Sequence, residues 1–249
     1  MEKLVSKKAI QVLTSDQLDW VSFNGFREKL YLKKRKAYSQ EIGDESWGQV
    51  LSCTYFADAY LKPGASTGLH HHDNVCIVTV VTSGVLTHED SEGNSINLES
   101  GQHMIQRTGT SGFKHNESNY TDSFTGILQL WFDVAEWEVT SRNVIEVVNK
   151  GMHSDLLGPS SPKNKSNIAF ESYHEFKGSI QVNSDQSLIF CYSGSLDISD
   201  HGINGTYKLV AGDKLVAGEM TKAFSTLEIA SGNSASFIVI CGRENELSK

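Results

Sequence analysis

The chain has 249 residues, with 22 basic against 30 acidic side chains and a net charge of −8 when histidines are neutral. That balance argues against a broad phosphate-binding face and for a soluble protein that meets small molecules or other proteins. Residues 1–20 lack a continuous apolar core, the longest apolar runs are far too short to cross a bilayer, and Cys53, Cys76, Cys191 and Cys241 form no C-x-x-C pair, so a cytoplasmic chain with reduced thiols is expected.

In chain order, residues 15–23 are a candidate helix. From Tyr55 onward, glycines punctuate short β-branched and aromatic runs, which is an all-β pattern. Residues 75–81 (VCIVTVV) read as a buried strand; Gly84 breaks it and 85–89 resumes. Ser91-Glu92-Gly93-Asn94 has hairpin chemistry and leads into a strand over 95–98. Further strands are predicted over 103–107 and 126–132, and a second candidate helix over 135–149. The polar stretch Ser160-Ser161-Pro162-Lys163-Asn164-Lys165-Ser166 reads as a connector. Short strands then return over 188–192, 195–198, 206–210, 215–217 and 236–240. Glu99-Ser100-Gly101-Gln102 and Val210-Ala211-Gly212-Asp213 are similar turns, each leading into a strand, which hints at an internal duplication.

The chemistry is concentrated in Gly64-Ala65-Ser66-Thr67-Gly68-Leu69-His70-His71-His72. On a strand, alternate side chains share a face, so His70 and His72 point one way and His71 the other. His115 and Glu117 repeat that spacing. If the two strands line facing walls of a barrel, three imidazoles and a carboxylate converge inside it. Such donors suit Fe, Mn, Ni, Cu or Zn. A surface histidine run beside an unrelated pair is the blander alternative, and two such pairs within one β-pattern weigh against it. His88 and His103 alternate with apolar neighbours and are expected to be satisfied barrel or surface histidines, with a supporting role beside the ligands as the lesser alternative. His153, His174 and His201 have no H-x-H partner. Phosphate-cradling glycine loops, nucleophile elbows and H-E-x-x-H motifs are absent.

The Gly64-x5-His70-x-His72 spacing resembles the first half of the cupin signature. Over residues 60–132 the likeness narrows to the pirin family, through Thr87-His88-Glu89-Asp90-Ser91-x-Gly93-Asn94, then Ser100-Gly101-x5-Arg107-Thr108-Gly109-x2-Gly112-x2-His115-x-Glu117, then Gln129-Leu130-Trp131. The resemblance implies an all-β chain of two cupin (double-stranded β-helix) barrels with few helices. The expected division is a metal-binding barrel over 1–133, a connector over 134–170 and a second barrel without a metal site over 171–249. It implies one transition-metal ion on His70, His72, His115 and Glu117, with Fe(II) first and Mn, Ni, Cu or Zn as alternatives. It also implies a quercetin dioxygenase-like activity on a small aromatic flavonol, with Glu117 as the base that takes the hydroxyl proton. The alternative is a regulatory protein that binds a transcription factor or metabolic enzyme when metal is present, with no direct contact to nucleic acid or membrane. The sequence departs from the family's H-P-H, basic residue and glutamate at His71, Asp73 and Cys76. Glu117 becomes the natural fourth donor, and Cys76 is expected in the core.

Overall fold

The computed structural model describes residues 10–34, 46–108, 112–133, 144–149, 153–157, 167–184, 186–200, 206–211, 214–217 and 226–243. In chain order these form β1 (Ile10–Leu13), one 3-10 turn at Ser15–Gln17, β2 (Val21–Phe23), β3 (Phe26–Lys33), β4 (Cys53–Leu61), β5 (His70–His72), β6 (Val75–Ser83), β7 (Val85–Asp90), β8 (Ser95–Glu99), β9 (His103–Arg107), β10 (Phe113–Ser118), β11 (Thr125–Asp133), β12 (Val144–Val148), β13 (His153–Leu157), β14 (Asn167–Asn183), β15 (Ser187–Ser193), β16 (Ser195–Asp200), β17 (Thr206–Val210), β18 (Lys214–Ala217) and β19 (Thr226–Arg243). The all-β class expected from the sequence holds.

Neither candidate helix forms among the described residues, and residues 135–143 of the second lie outside them. The first is a single turn followed by β2, and Val144-Ile145-Glu146-Val147-Val148 pairs with β9. β-branched side chains lose rotamer freedom in a helix and pack well on a pleated sheet, and here an open sheet edge was at hand.

The first barrel has two walls. One is a seven-stranded sheet in the order β12-β9-β6-β11-β4-β3-β2, the other a four-stranded sheet in the order β5-β10-β7-β8. Phe26, Leu61, Val81, Leu86, Leu98, Met104 and Ile127 pack between them. The second barrel is built on the order β1-β18-β15-β19-β14-β13, with β16 on β19 and β17 on β16. Segment 134–170, read as a connector, thus supplies β12 to the first barrel and β13 to the second, while β1 pairs with β18.

Period-two alternation divides each central strand between two cores. In β6, Cys76, Val78 and Val80 face the second barrel and join a cluster with Phe170, Leu188, Phe190, Ile238 and Ile240. Tyr31 and Phe56 meet Phe190 edge-on, with ring centroids 5.0 and 4.9 Å apart. Thr79 and Val81, one step out of phase, face the interior of the first barrel.

The duplication is visible in backbone bonds. Ser100 N donates to Gly84 O at 3.2 Å, and Ala211 N donates to Gly194 O at 3.0 Å. Both glycines have positive φ (74° and 76°) and lie where an added Cβ would strike backbone, so both hairpins need glycine. β19 pairs with β15 through one half and with β16 through the other, doing in one strand what β11 and β10 do as two.

Candidate metal centre

β5 is three residues long and is held along one edge by β10. His70 pairs with His115, His71 with Lys114 and His72 with Phe113. The approach segment is laced to β10: Thr67 N donates to Glu117 O at 2.9 Å, and Glu117 N donates to Thr67 Oγ1 at 3.0 Å. Gly112 lets the strands close, since at φ 65° a Cβ there would lie 2.5 Å from His72 O. Alternation acts as predicted. His72 is buried, whereas His71 is exposed, its Nε2 4.0 Å from Asp73 Oδ2.

His70, His72 and His115 each offer one donor atom, all within 4.8 Å of one another. An ion with bonds of about 2.1 Å holds neighbouring donors about 3 Å apart and opposite ones about 4 Å apart, so the trio fits one. His70 Nδ1 donates to Gly68 O at 2.8 Å, which leaves its Nε2 with the lone pair, and that atom is 2.9 Å from His115 Nε2. His72 Nε2 is buried with no hydrogen-bond partner. His70 is only partly buried and forms the solvent side of the trio.

Glu117 lies deeper. Its Oε1 accepts from Thr79 at 3.0 Å and its Oε2 from Gln129 at 2.6 Å. It groups within 4.8 Å with His115 and His88, not in one set with His70 and His72. Of the four expected ligands, the structure therefore joins three directly and links Glu117 through His115. His88, expected to be a satisfied barrel or surface histidine, is fully buried, with its ring centroid 5.2 Å from that of His115. Its Nε2 is 3.9 Å from Asp90 Oδ2. The legible signal was its phase on β7, shared with buried Leu86. His103 faces the other way, against Phe170 at 5.2 Å between centroids.

Burial sets the charges. It pushes His72 down to about 4, helped by His70 and His71, and His115 far below its ordinary range. It also lowers His88, against the pull of Asp90 and Glu89. These imidazoles are neutral at pH 7, the form that binds metal. Burial raises Glu117 to about 7 despite the Thr79 and Gln129 bonds.

One wall is aromatic. Trp131 stacks on Tyr55 at 4.3 Å and meets His72 edge-on at 4.9 Å. Tyr55 OH donates to Glu28 Oε2 at 2.7 Å, and burial raises the Glu28 carboxyl. Tyr55, Glu28, Thr79 and Gln106 carry no motif spacing; only their inward phase on β3, β4, β6 and β9 marks them.

The Pirin family model matches residues 32–132, the stretch that contains every donor above. The Zymomonas mobilis protein ZMO1337 is 37% identical to the chain over 86 residues, covering 34% of this chain and 35% of that protein. The Escherichia coli K12 quercetin 2,3-dioxygenase is 31% identical over 86 residues, covering 34% and 37%. The matched part of the chain thus spans about a third of the length of these curated relatives. The fold of the whole chain is that of the E. coli protein YhhW, a bacterial pirin (TM-score 0.72, 17% identity, 93% of this chain and 96% of that one), also solved in complex with nickel(II) (TM-score 0.73, 15% identity, 94% and 99%).

Within the matched stretch, Cys76 lies on the face turned to the second barrel, so it packs in the core and not at the donors. Strand register locates the equivalents of the donors in the second barrel. His88 pairs with Glu117, as Ile198 pairs with Ile229; His70 pairs with His115, as Val182 pairs with Leu227. Those four are buried together as apolar core. The first barrel carries donors where its sister barrel carries hydrocarbon.

Proposed function

We propose that the protein is a metal-dependent dioxygenase that opens flavonol-type substrates. His70, His72 and His115 hold one transition-metal ion, and Glu117 serves as fourth donor and proton acceptor. The observation that carries this reading is the convergence of three imidazoles within 4.8 Å, one of them, His72, with a buried nitrogen that nothing else satisfies. The donor set fits Fe(II), Mn, Ni, Cu or Zn. The nickel(II) found in YhhW and the quercetin 2,3-dioxygenase relatives support the metal and the substrate class.

A redox-capable ion bound there would supply the electron exchange between flavonol and dioxygen. The chain's own part is positioning and proton transfer. Trp131, stacked on Tyr55, offers a flat apolar wall to an aromatic substrate, and exposed Leu69 adjoins partly open His70. Glu117, raised to about 7, is poised to accept the proton of the substrate hydroxyl near neutral pH. Thr79 and Gln129 keep its oxygens in place while it does so.

The test is anaerobic mixing of metal-loaded protein with quercetin, followed by admission of air. Loss of flavonol absorbance with formation of the ring-opened product is expected. No change with any first-row metal would overturn the enzymatic reading.

A further inference from the structure

We infer that the pocket contains a second, inner cation position formed by His88, His115 and Glu117, which overlaps the three-histidine position through their common His115. This rests on the reading that the pocket binds metal and adds where the ion can sit. The three residues come from the paired strands β7 and β10, with Glu117 directly opposite His88, and their donor atoms lie within 4.8 Å of one another. All three are buried to 1% exposure or less.

Hydrogen bonding leaves His88 ready to ligate. Gln106 Nε2 is 3.3 Å from His88 Nε2, while Gln106 Oε1 and His88 Nδ1 are buried without partners. Turning the Gln106 amide about its terminal bond brings Oε1 to that place. His88 Nε2–H then donates to it, and Nδ1 is left with a bare, buried lone pair. An acceptor that fixes the tautomer in this way usually accompanies a metal-bound histidine. His115 Nδ1 is likewise buried and unpartnered.

The two positions differ in chemistry. At the inner position the carboxylate is one of three donors, which favours Fe(II) or Mn(II), whereas at the outer position imidazoles predominate, which shifts the preference towards Ni, Cu or Zn. Sharing His115 makes them alternatives, with one ion per chain. In the second barrel the register-equivalent residues Ile198, Leu227 and Ile229 fill the same space with apolar packing. The barrel interior therefore does not need polar groups there for its own closure.

Mn(II) titration followed by electron paramagnetic resonance tests this, with circular dichroism as the check on folding. The double variant His70→Ala/His72→Ala loses the outer position and is expected to bind one Mn(II) per chain. Adding His88→Ala should then weaken Mn(II) by more than about 100-fold, beyond the roughly 10–100-fold that follows from losing a group that merely supports a ligand. A folded double variant that binds no Mn(II), or one indifferent to His88→Ala within about 100-fold, overturns the inner position. Should the double variant not fold, His88→Ala alone decides: the Mn(II)-to-Ni(II) affinity ratio must fall at least about tenfold, and an unchanged ratio refutes the proposal. Failure of the native protein to bind any metal would instead refute the metal reading itself.

Discussion

Glu117→Gln separates the structural cost of the carboxylate from its use. In the metal-free protein the carboxyl is fully enclosed and raised from 4.5 to about 7. The folded state therefore keeps its proton over a range in which the unfolded chain has released it. Stability falls as pH rises through that window, because the unfolded state binds fewer protons than the folded one. At about 1.4 kcal/mol per tenfold, the penalty is under about 1 kcal/mol at pH 5 and about 3 kcal/mol at pH 8. Glutamine carries no such term. Its oxygen can take the Gln129 N–H, and its amide can donate to Thr79 Oγ1 once that hydroxyl turns. Urea unfolding in the presence of a chelator should show Glu117→Gln gaining about 2–3 kcal/mol relative to the native protein between pH 5 and pH 8. Metal affinity should fall in the same variant. A stability difference that stays flat across that range would refute the account of Glu117 as an ionisable group held in a low-dielectric interior.

Other changes probe the scaffold. His115→Ala removes the donor common to both metal positions and should abolish metal binding by elemental analysis, whereas His71→Ala, on the exposed face, should leave occupancy unchanged and stability within about 0.5 kcal/mol. Gly112→Ala adds a Cβ against His72 O at positive φ, so it should cost at least about 1–2 kcal/mol in thermal unfolding and weaken metal binding by shifting β5. Phe190→Ala empties the contact with Tyr31 and Phe56 and should cost about 3–5 kcal/mol in urea, with fluorescence and circular dichroism still reporting one transition.

The legible parts of this protein are those governed by local periodicity. Strand β6 is a largely apolar, β-branched run interrupted by Thr79, the β7–β8 turn carries Gly93 at φ 90° with Asp90 Oδ1 accepting from the Glu92 and Asn94 amides, and the i, i+2 histidines fall on one face as alternation requires. What stayed hidden depends on pairing between distant segments. His88 belongs to the site because β7 lies beside β10, a register that no local pattern announces. Cys76 is legible as a core residue, and only the second barrel shows which face of β6 it occupies. Val144–Val148 was misread because nothing nearby reveals that the edge of β9 is waiting for a partner. The lengths of β14 and β19, 17 and 18 residues, likewise depend on their pairing with one another, which runs on through register shifts near Phe176.

The exchange of end strands has a consequence for cooperativity. Because β1 closes the sheet of the far barrel and β12 extends that of the near one, a cut at residue 133 would strip an edge from each half. It would also bare the aromatic seam around Phe190 to water. Neither half is a self-sufficient folding unit in this arrangement. The donor pocket thus draws its rigidity from contacts made by both halves of the polypeptide, and loosening β1 would be felt at the donors.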